Sequence, residues 1–137
     1  MEKSIKKTAM TTEEQNKADE IRSNLAYCTG TENYARYQIG RITYLITDGI
    51  RTMAEMCGAY WLIDLIVSHQ NSARVRREPF QVWTLKPSKT TRGAMARADD
   101  GNGNKIAAQR IPYTDFPLPE GIKIYLADNV IMLPSEY

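Results

Sequence analysis

The side chains best suited to nucleophilic chemistry are few and far apart in this sequence. His69 is the single histidine, and the two cysteines are Cys28 and Cys57. A cysteine nucleophile needs a base within hydrogen-bond reach, and nothing in the spacing requires Cys57 to meet His69. One histidine and two distant cysteines also fall short of the four ligands of a structural zinc ion. We therefore expect no catalytic residues and no metal site.

The segment from Asp100 to Asn104 superficially resembles a calcium-binding loop, but the pattern fails. Lys105 stands where the sharp turn of such a loop needs glycine, and Ile111 stands where a bidentate glutamate should be. Asn and Gly tolerate the positive φ angles of a tight reversal, so the segment predicts a β-hairpin turn. The sequence also contains no P-loop, no glycine-rich dinucleotide fingerprint and no Gly-x-Ser-x-Gly string. We expect no cofactor and no enzymatic activity.

Asp64 is the most informative polar residue because it interrupts an apolar run, 60–67. Such a carboxylate is expected to be buried, and burial is costly unless the group is hydrogen-bonded or paired. The favoured interpretation is structural: Asp64 accepts a hydrogen bond from a tyrosine hydroxyl, an arginine or a loop N–H and locks the helix to the sheet. In the alternative, Asp64 is a carboxylate with a raised pKa in a ligand pocket, shared with Tyr60, Trp61 and Trp83.

Basic residues are concentrated between positions 73 and 97, where seven of them accompany one acidic residue, Glu78. The seven are Arg74, Arg76, Arg77, Lys86, Lys89, Arg92 and Arg97. Such a patch could bind phosphates or an acidic protein partner, and Tyr113, predicted in a loop, could join it. A third interpretation is slightly favoured over both: the basic residues lie in solvated loops that keep the sheet edge from aggregating.

Length and composition indicate one folded domain, residues 11–137, after a flexible tail, residues 1–10. Of the 137 residues, 42% are hydrophobic and 25% charged, close to globular averages, and a chain of this length can bury a core of its own. The net charge of +2 requires neither a nucleic-acid nor a membrane partner. The longest nearly apolar run, 59–67, is too short to cross a bilayer. Because the N-terminal residues do not have the pattern of a signal peptide, we expect a cytoplasmic protein.

Periodicity places the helices mainly in the first half of the chain. The first helix is predicted to begin near Thr11 or Thr12 with a capping box, and the second follows an Asp48 cap. The third, 59–70, is apolar on most sides and central to the fold. Alternating residues predict strands at 41–46, 80–85, 94–98, 105–111, 122–126 and 130–133. No structure is assigned to 31–40.

Helices followed by a run of strands with short turns indicate an α+β fold. We expect an antiparallel sheet of about five strands, with the N-terminal helices packed on one face. No internal repeat or linker divides the chain.

Six strings occur in a set order: TGTE at 29–32, TDG at 47–49, GAYWLID at 58–64, FQVW at 80–83, DGNGN at 100–104 and LPSEY at 133–137. Together they resemble a family of small bacterial and phage domains of unknown function, over residues 25–137. The resemblance implies a free-standing domain found on bacterial chromosomes and mobile elements, and it brings no assigned reaction. The stretch before 94–98 is more basic here than in that family, so a role for this patch does not transfer.

The leading functional hypothesis is a non-enzymatic binding protein. It would be an accessory factor of a phage or mobile element that docks on another macromolecule and modulates or inhibits it, as anti-CRISPR and other anti-defence proteins do. Two alternatives stay open: a small-ligand or nucleotide pocket near Trp61, Asp64 and Trp83, and nucleic-acid binding through 74–97. We expect a protein partner, with nucleic acid as the alternative and no membrane; homo-oligomers stay open.

Overall fold

A computed structural model describes residues 8–29, 33–39 and 41–137. Most of the predicted flexible tail, residues 1–7, lies outside the described residues, as does Gly30, the predicted end of the first helix. The described end of that tail is anchored: Met10 packs against the core, and Thr8 Oγ1 accepts a hydrogen bond from Arg92. The flexible tail itself stays a prediction.

The described chain forms four helices and seven strands. The helices are α1 (Thr12–Ala26), α2 (Asp48–Cys57), α3 (Tyr60–His69) and the single turn α4 (Ala73–Arg76). The strands are β1 (Tyr34–Ile39), β2 (Ile42–Thr47), β3 (Phe80–Pro87), β4 (Ala94–Asp99), β5 (Lys105–Ile111), β6 (Ile122–Ala127) and β7 (Val130–Met132). A 3₁₀ turn, Pro134–Glu136, follows β7. Among the described residues, no helix is both long and apolar enough to span a membrane.

The strands form one mixed sheet in the order β1-β2-β7-β6-β3-β4-β5. The α+β class is confirmed, but the prediction of about five antiparallel strands is wrong in two respects. The sheet has seven strands, and β2 runs parallel to β7, with Leu45 opposite Val130 and Ile46 opposite Ile131. The physical reason is that β1 and β2 form a hairpin that joins the C-terminal strands by a non-local pairing, and strand periodicity carries no information about such neighbours.

Side-chain caps fix where the first two helices begin. Thr11 and Glu14 form the predicted capping box at the start of α1. At α2, the cap is Thr47 and not Asp48, because Thr47 Oγ1 accepts from the backbone N–H of Ile50. Asp48 is instead the first helical residue, where its negative charge interacts favourably with the helix dipole.

The core lies between the helices and one face of the sheet. On β3, the alternate residues Gln81, Trp83 and Leu85 are buried, and Trp83 pairs with Ile124 on β6 and with Ala98 on β4. Helices α1, α2 and α3 contribute their apolar residues to the same buried cluster. Each fully buried Leu or Ile stabilises the fold by about 1.5–3 kcal/mol. The opposite face of the sheet carries the remaining alternate residues, several of them exposed.

Candidate binding surface

The structure separates Trp83 from the other three residues of the predicted ligand pocket. Trp83 is 2% exposed; its indole lies 5.2 Å from the ring of His69, and its Nε1–H donates to Gln81 Oε1 at 2.9 Å. Tyr60 and Asp64 are exposed on the outer side of α3, and Trp61 is half-buried. The four side chains therefore do not converge, because Trp83 belongs to the core and Tyr60 and Asp64 face solvent.

The expected burial of Asp64 is wrong. Residues Tyr60, Asp64 and Ser68 are all exposed, and their spacing of four places them on one outward stripe of α3. The hydroxyl of Tyr37 donates to Asp64 Oδ1, which joins β1 to α3; the structural role of Asp64 stays a prediction. Burial, followed by this hydrogen bond, raises the pKa of the Tyr37 hydroxyl above its usual range.

The structure also separates the cysteines from the histidine. Cys57 ends α2, and His69 ends α3, where its ring lies against that of Trp83. His69 Nε2 lies 2.8 Å from Gln109 Oε1, which ties the end of α3 to β5. Among the described residues, no group of three or more His, Cys, Asp or Glu side chains could hold a metal ion.

Cys57 should react with iodoacetamide at pH 8 about 10-fold more slowly than Cys28 in the folded protein. Only the thiolate reacts, and burial raises the pKa of the Cys57 thiol to about 11. Cys57 is 6% exposed, whereas Cys28 is half-buried. Mass spectrometry of the alkylated peptides measures both rates, and the difference should vanish in 8 M urea. Equal rates in the folded protein would contradict the burial of Cys57.

The predicted basic residues fall into two groups at opposite ends of β3. Arg74, Arg76 and Arg77 belong to α4 and its end, directly before β3 begins. Lys86, Lys89 and Arg92 lie at the end of β3 and in the turn after it, and Arg97 lies on β4. The eight residues of β3 separate the groups by about 25 Å.

Three members of the predicted set also have structural contacts. Arg97 Nη2 donates to the carbonyl of Gly103 at 3.3 Å. Arg76 Nη1 donates to the carbonyl of Gln70 at 3.1 Å, and the Arg92 carbonyl accepts from Thr114 N at 2.7 Å. Tyr113, next to Thr114, is 54% exposed. The sequence stretch is thus not one surface.

Strands β3, β4, β5 and β6 assemble a different basic surface on the side of the sheet opposite the helices, and we call this side of the four strands the open face. Thr84 on β3 pairs with Lys123 on β6 and with Arg97 on β4. One step along, Lys86 pairs with Met95, and Met95 pairs with Arg110 on β5. Because alternate residues share a face, these side chains project from the same side of the sheet.

The charge of the open face is strongly one-sided. Its exposed basic side chains are Lys86, Arg97, Lys105, Arg110 and Lys123. Its one acidic strand residue is Asp99, which pairs with Lys105. Five positive charges and one negative charge give this face +4, against +2 for the whole chain. Positive charge is therefore concentrated here.

An aromatic cluster adjoins these cations on the open face. The ring of Phe80 lies 5.0 Å from that of Tyr125 and 5.3 Å from that of Tyr137, and the two tyrosine rings are 5.6 Å apart. Phe80 and Tyr125 are half-buried, whereas Tyr137 is 76% exposed. The open face thus offers aromatic rings as well as cations.

The 3₁₀ turn holds Tyr137 in place. Glu136 Oε1 accepts from Thr47 Oγ1 at 2.7 Å, and Glu136 Oε2 accepts from Gly49 N at 3.1 Å. Ser135 Oγ donates to the carbonyl of Cys28 at 2.6 Å. The turn is thereby tied to the start of α2 and to the segment after α1, so the exposed ring is fixed at its base.

A depression of about 450 Å³ lies at the other end of this surface. Lys86, Met95 and Arg110 line it together with residues of the β3–β4 turn, among them Lys89. Its floor is largely apolar and its rim is basic. Sequence reasoning found Lys86, Lys89 and Arg97 but missed Lys105, Arg110 and Lys123. For Lys123, its position between Ile122 and Ile124 on a predicted strand was a signal that could have found it; β5 has no buried residues, so Lys105 and Arg110 carry no such signal.

The fold and this surface define an α+β protein: one seven-stranded sheet, covered by helices on one face and basic and aromatic on the other. The chain belongs to DUF6876, a family of unknown function, whose model matches residues 19–137. This confirms the resemblance to a family of unknown function, whereas the set of strings and the phage origin stay predictions. Neither a curated protein nor a solved structure matches the chain.

Proposed function

We propose that this protein is a non-enzymatic binding protein that docks on an anionic macromolecule through its open face. The concentration of charge there carries the proposal, with five basic side chains and one acidic one on the exposed side of four strands. We further propose that the protein is an accessory factor of a phage or mobile element that modulates or inhibits this macromolecule. The sequence resemblance supports this part of the proposal.

The spacing of these cations favours their acting together. Neighbouring strands are about 4.8 Å apart, so Lys123 and Arg97, on either side of Thr84, are separated by about 10 Å at the backbone. The Debye length at physiological salt is about 8 Å. At about 0.01 M salt the Debye length rises to about 30 Å, so adjacent cations add their potentials over the surface at low salt, which attracts a partner with regularly spaced negative charges.

Reversing two charges of the open face should strongly weaken binding to polyanions. The double variant Arg97→Glu, Lys123→Glu changes the open-face charge from +4 to 0, so we expect affinity for heparin or inorganic polyphosphate to fall at least about 10-fold at low salt. Wild-type affinity should itself fall steeply as salt rises. Fluorescence anisotropy with labelled polyanion measures both.

The matched control is Arg74→Glu, Arg77→Glu. It makes the same change in net charge at two exposed residues outside the sheet, so it should retain most of the affinity. Binding that is independent of salt, or equal losses in the two double variants, would show that the open face is not the docking surface.

A further inference from the structure

We propose that the partner is a single-stranded nucleic acid, with its bases stacked on the aromatic cluster and its phosphates along the cations of the open face. This inference rests on the proposed function and specifies the partner. The observation that supports this inference is that aromatic rings and cations lie on the same uncovered side of one sheet.

The geometry of the aromatic cluster suits base stacking. The rings of Phe80, Tyr125 and Tyr137 meet at interplanar angles of 66°, 59° and 85°, so they contact one another by edges and not face to face. Tyr137 is 76% exposed, and its ring contacts Phe80 and Tyr125 at steep angles. Part of the ring face is therefore accessible for stacking with a base. Unpaired bases stack readily on such side chains, whichever base is present.

The cations continue from the aromatic cluster along β3. The first row beyond Phe80 is that of Val82, flanked by Tyr125 and Asp99, with Lys105 beside Asp99. The next row comprises Lys123, Thr84 and Arg97, and the one after it comprises Lys86, Met95 and Arg110. From Phe80 to Lys86 the strand spans about 20 Å, so the rows form a path for a short backbone. At its far end, the depression beside Met95 combines an apolar floor with a basic rim, which fits a base attached to its phosphate.

The same features disfavour the other polyanions. Heparin and polyphosphate use the cations but have no bases to stack on Tyr137. In a duplex, each base is already stacked and paired inside the helix, so the exposed ring gains nothing. An acidic protein would likewise leave the aromatic cluster unused by its carboxylates. Single strands use both parts of the surface.

The experiment compares labelled twelve-residue oligothymidine and oligouridine with an abasic oligonucleotide of the same length, which has the same phosphates and no bases. We expect both oligonucleotides to bind about 10-fold more tightly than the abasic strand. A blunt duplex, heparin and poly-glutamate complete the set. The oligothymidine and oligouridine arms distinguish DNA from RNA as the natural source, and preference for either supports the inference.

Substitutions at Tyr137 identify the stacking ring. Tyr137→Ala should weaken oligonucleotide binding about 10-fold and leave abasic and heparin binding unchanged, while Tyr137→Phe, which keeps the ring, should bind like wild type. The matched control is Tyr113→Ala, which removes another exposed tyrosine, 54% exposed, outside the aromatic cluster. A thermal melt of each variant checks that the fold is retained.

The outcomes separate the two proposals. Equal binding of oligonucleotide, abasic strand and heparin, unaffected by Tyr137→Ala, would overturn this inference and leave polyanion docking intact. Tighter binding of the duplex or of poly-glutamate than of single strands would also overturn it. Absence of binding to every polyanion would overturn both.

Discussion

Gly121→Ala should lower the free energy of unfolding by more than about 3 kcal/mol. Gly121 has φ +80, and a Cβ built on its backbone lies 1.8 Å from the carbonyl oxygen of Leu85 and 2.9 Å from its carbonyl carbon. Those atoms are backbone of β3, near the centre of the sheet, and cannot move aside as a side chain could. The added methyl group therefore forces β6 away from β3. This cost adds to the strain of a non-glycine residue at positive φ.

Gly103→Ala is the matched control for that clash. Gly103 has φ +85, close to that of Gly121, but nothing lies within 4 Å of its added Cβ. The strain of the left-handed conformation alone should cost about 1–2 kcal/mol. Urea denaturation of both variants measures the difference. If the two variants lost the same stability, the close approach of Gly121 to β3 would be refuted.

Gln81→Leu should destabilise the fold by about 3–5 kcal/mol, because it leaves several buried polar groups without partners. Gln81 is 2% exposed. Its Oε1 accepts from Gln70 Nε2 and Trp83 Nε1, and its Nε2 donates to Gln70 Oε1 and to the carbonyl of Val75, each at 2.9 Å. This one amide thus joins α3, the α4 turn and β3.

A double-mutant cycle tests whether the two amides act as a pair. Gln70 is itself 3% exposed, so in Gln81→Leu its amide is left buried beside a leucine. Removing it as well, in Gln70→Leu with Gln81→Leu, should cost less than the sum of the single variants by about 1–3 kcal/mol. Strictly additive losses in chemical denaturation would contradict the reciprocal pair.

Local signals predicted most of the elements. The strand at 105–111 has the predicted bounds, and α3 is one residue shorter at each end than the predicted 59–70. Strand β1 was missed although Ala35, Tyr37 and Ile39 alternate with Arg36 and Gln38, which is a strand pattern. The helix α4 was missed because four residues are too few to show a period.

Tertiary arrangement explains the remaining differences. Asp64 was predicted to be buried because its flanking residues are apolar, although Tyr60 and Ser68 mark the outward stripe of α3 on which it lies. The alternation on β3 predicts two faces, but only the packing of the helices shows which of them is covered. Predicting the open face therefore required the register of β3 with β4 and β6, and no local sequence pattern contains that information.

The parallel pairing of β2 with β7 has a consequence for how fast the chain folds. Leu45 meets Val130, so this contact closes a loop of about 85 residues, whose entropy must be lost before the pairing adds stability. Folds with many such distant contacts fold on the millisecond-to-second scale. During synthesis, β2 leaves the ribosome long before β7 exists, so its edge has to wait unpaired, exposed to aggregation or to chaperones.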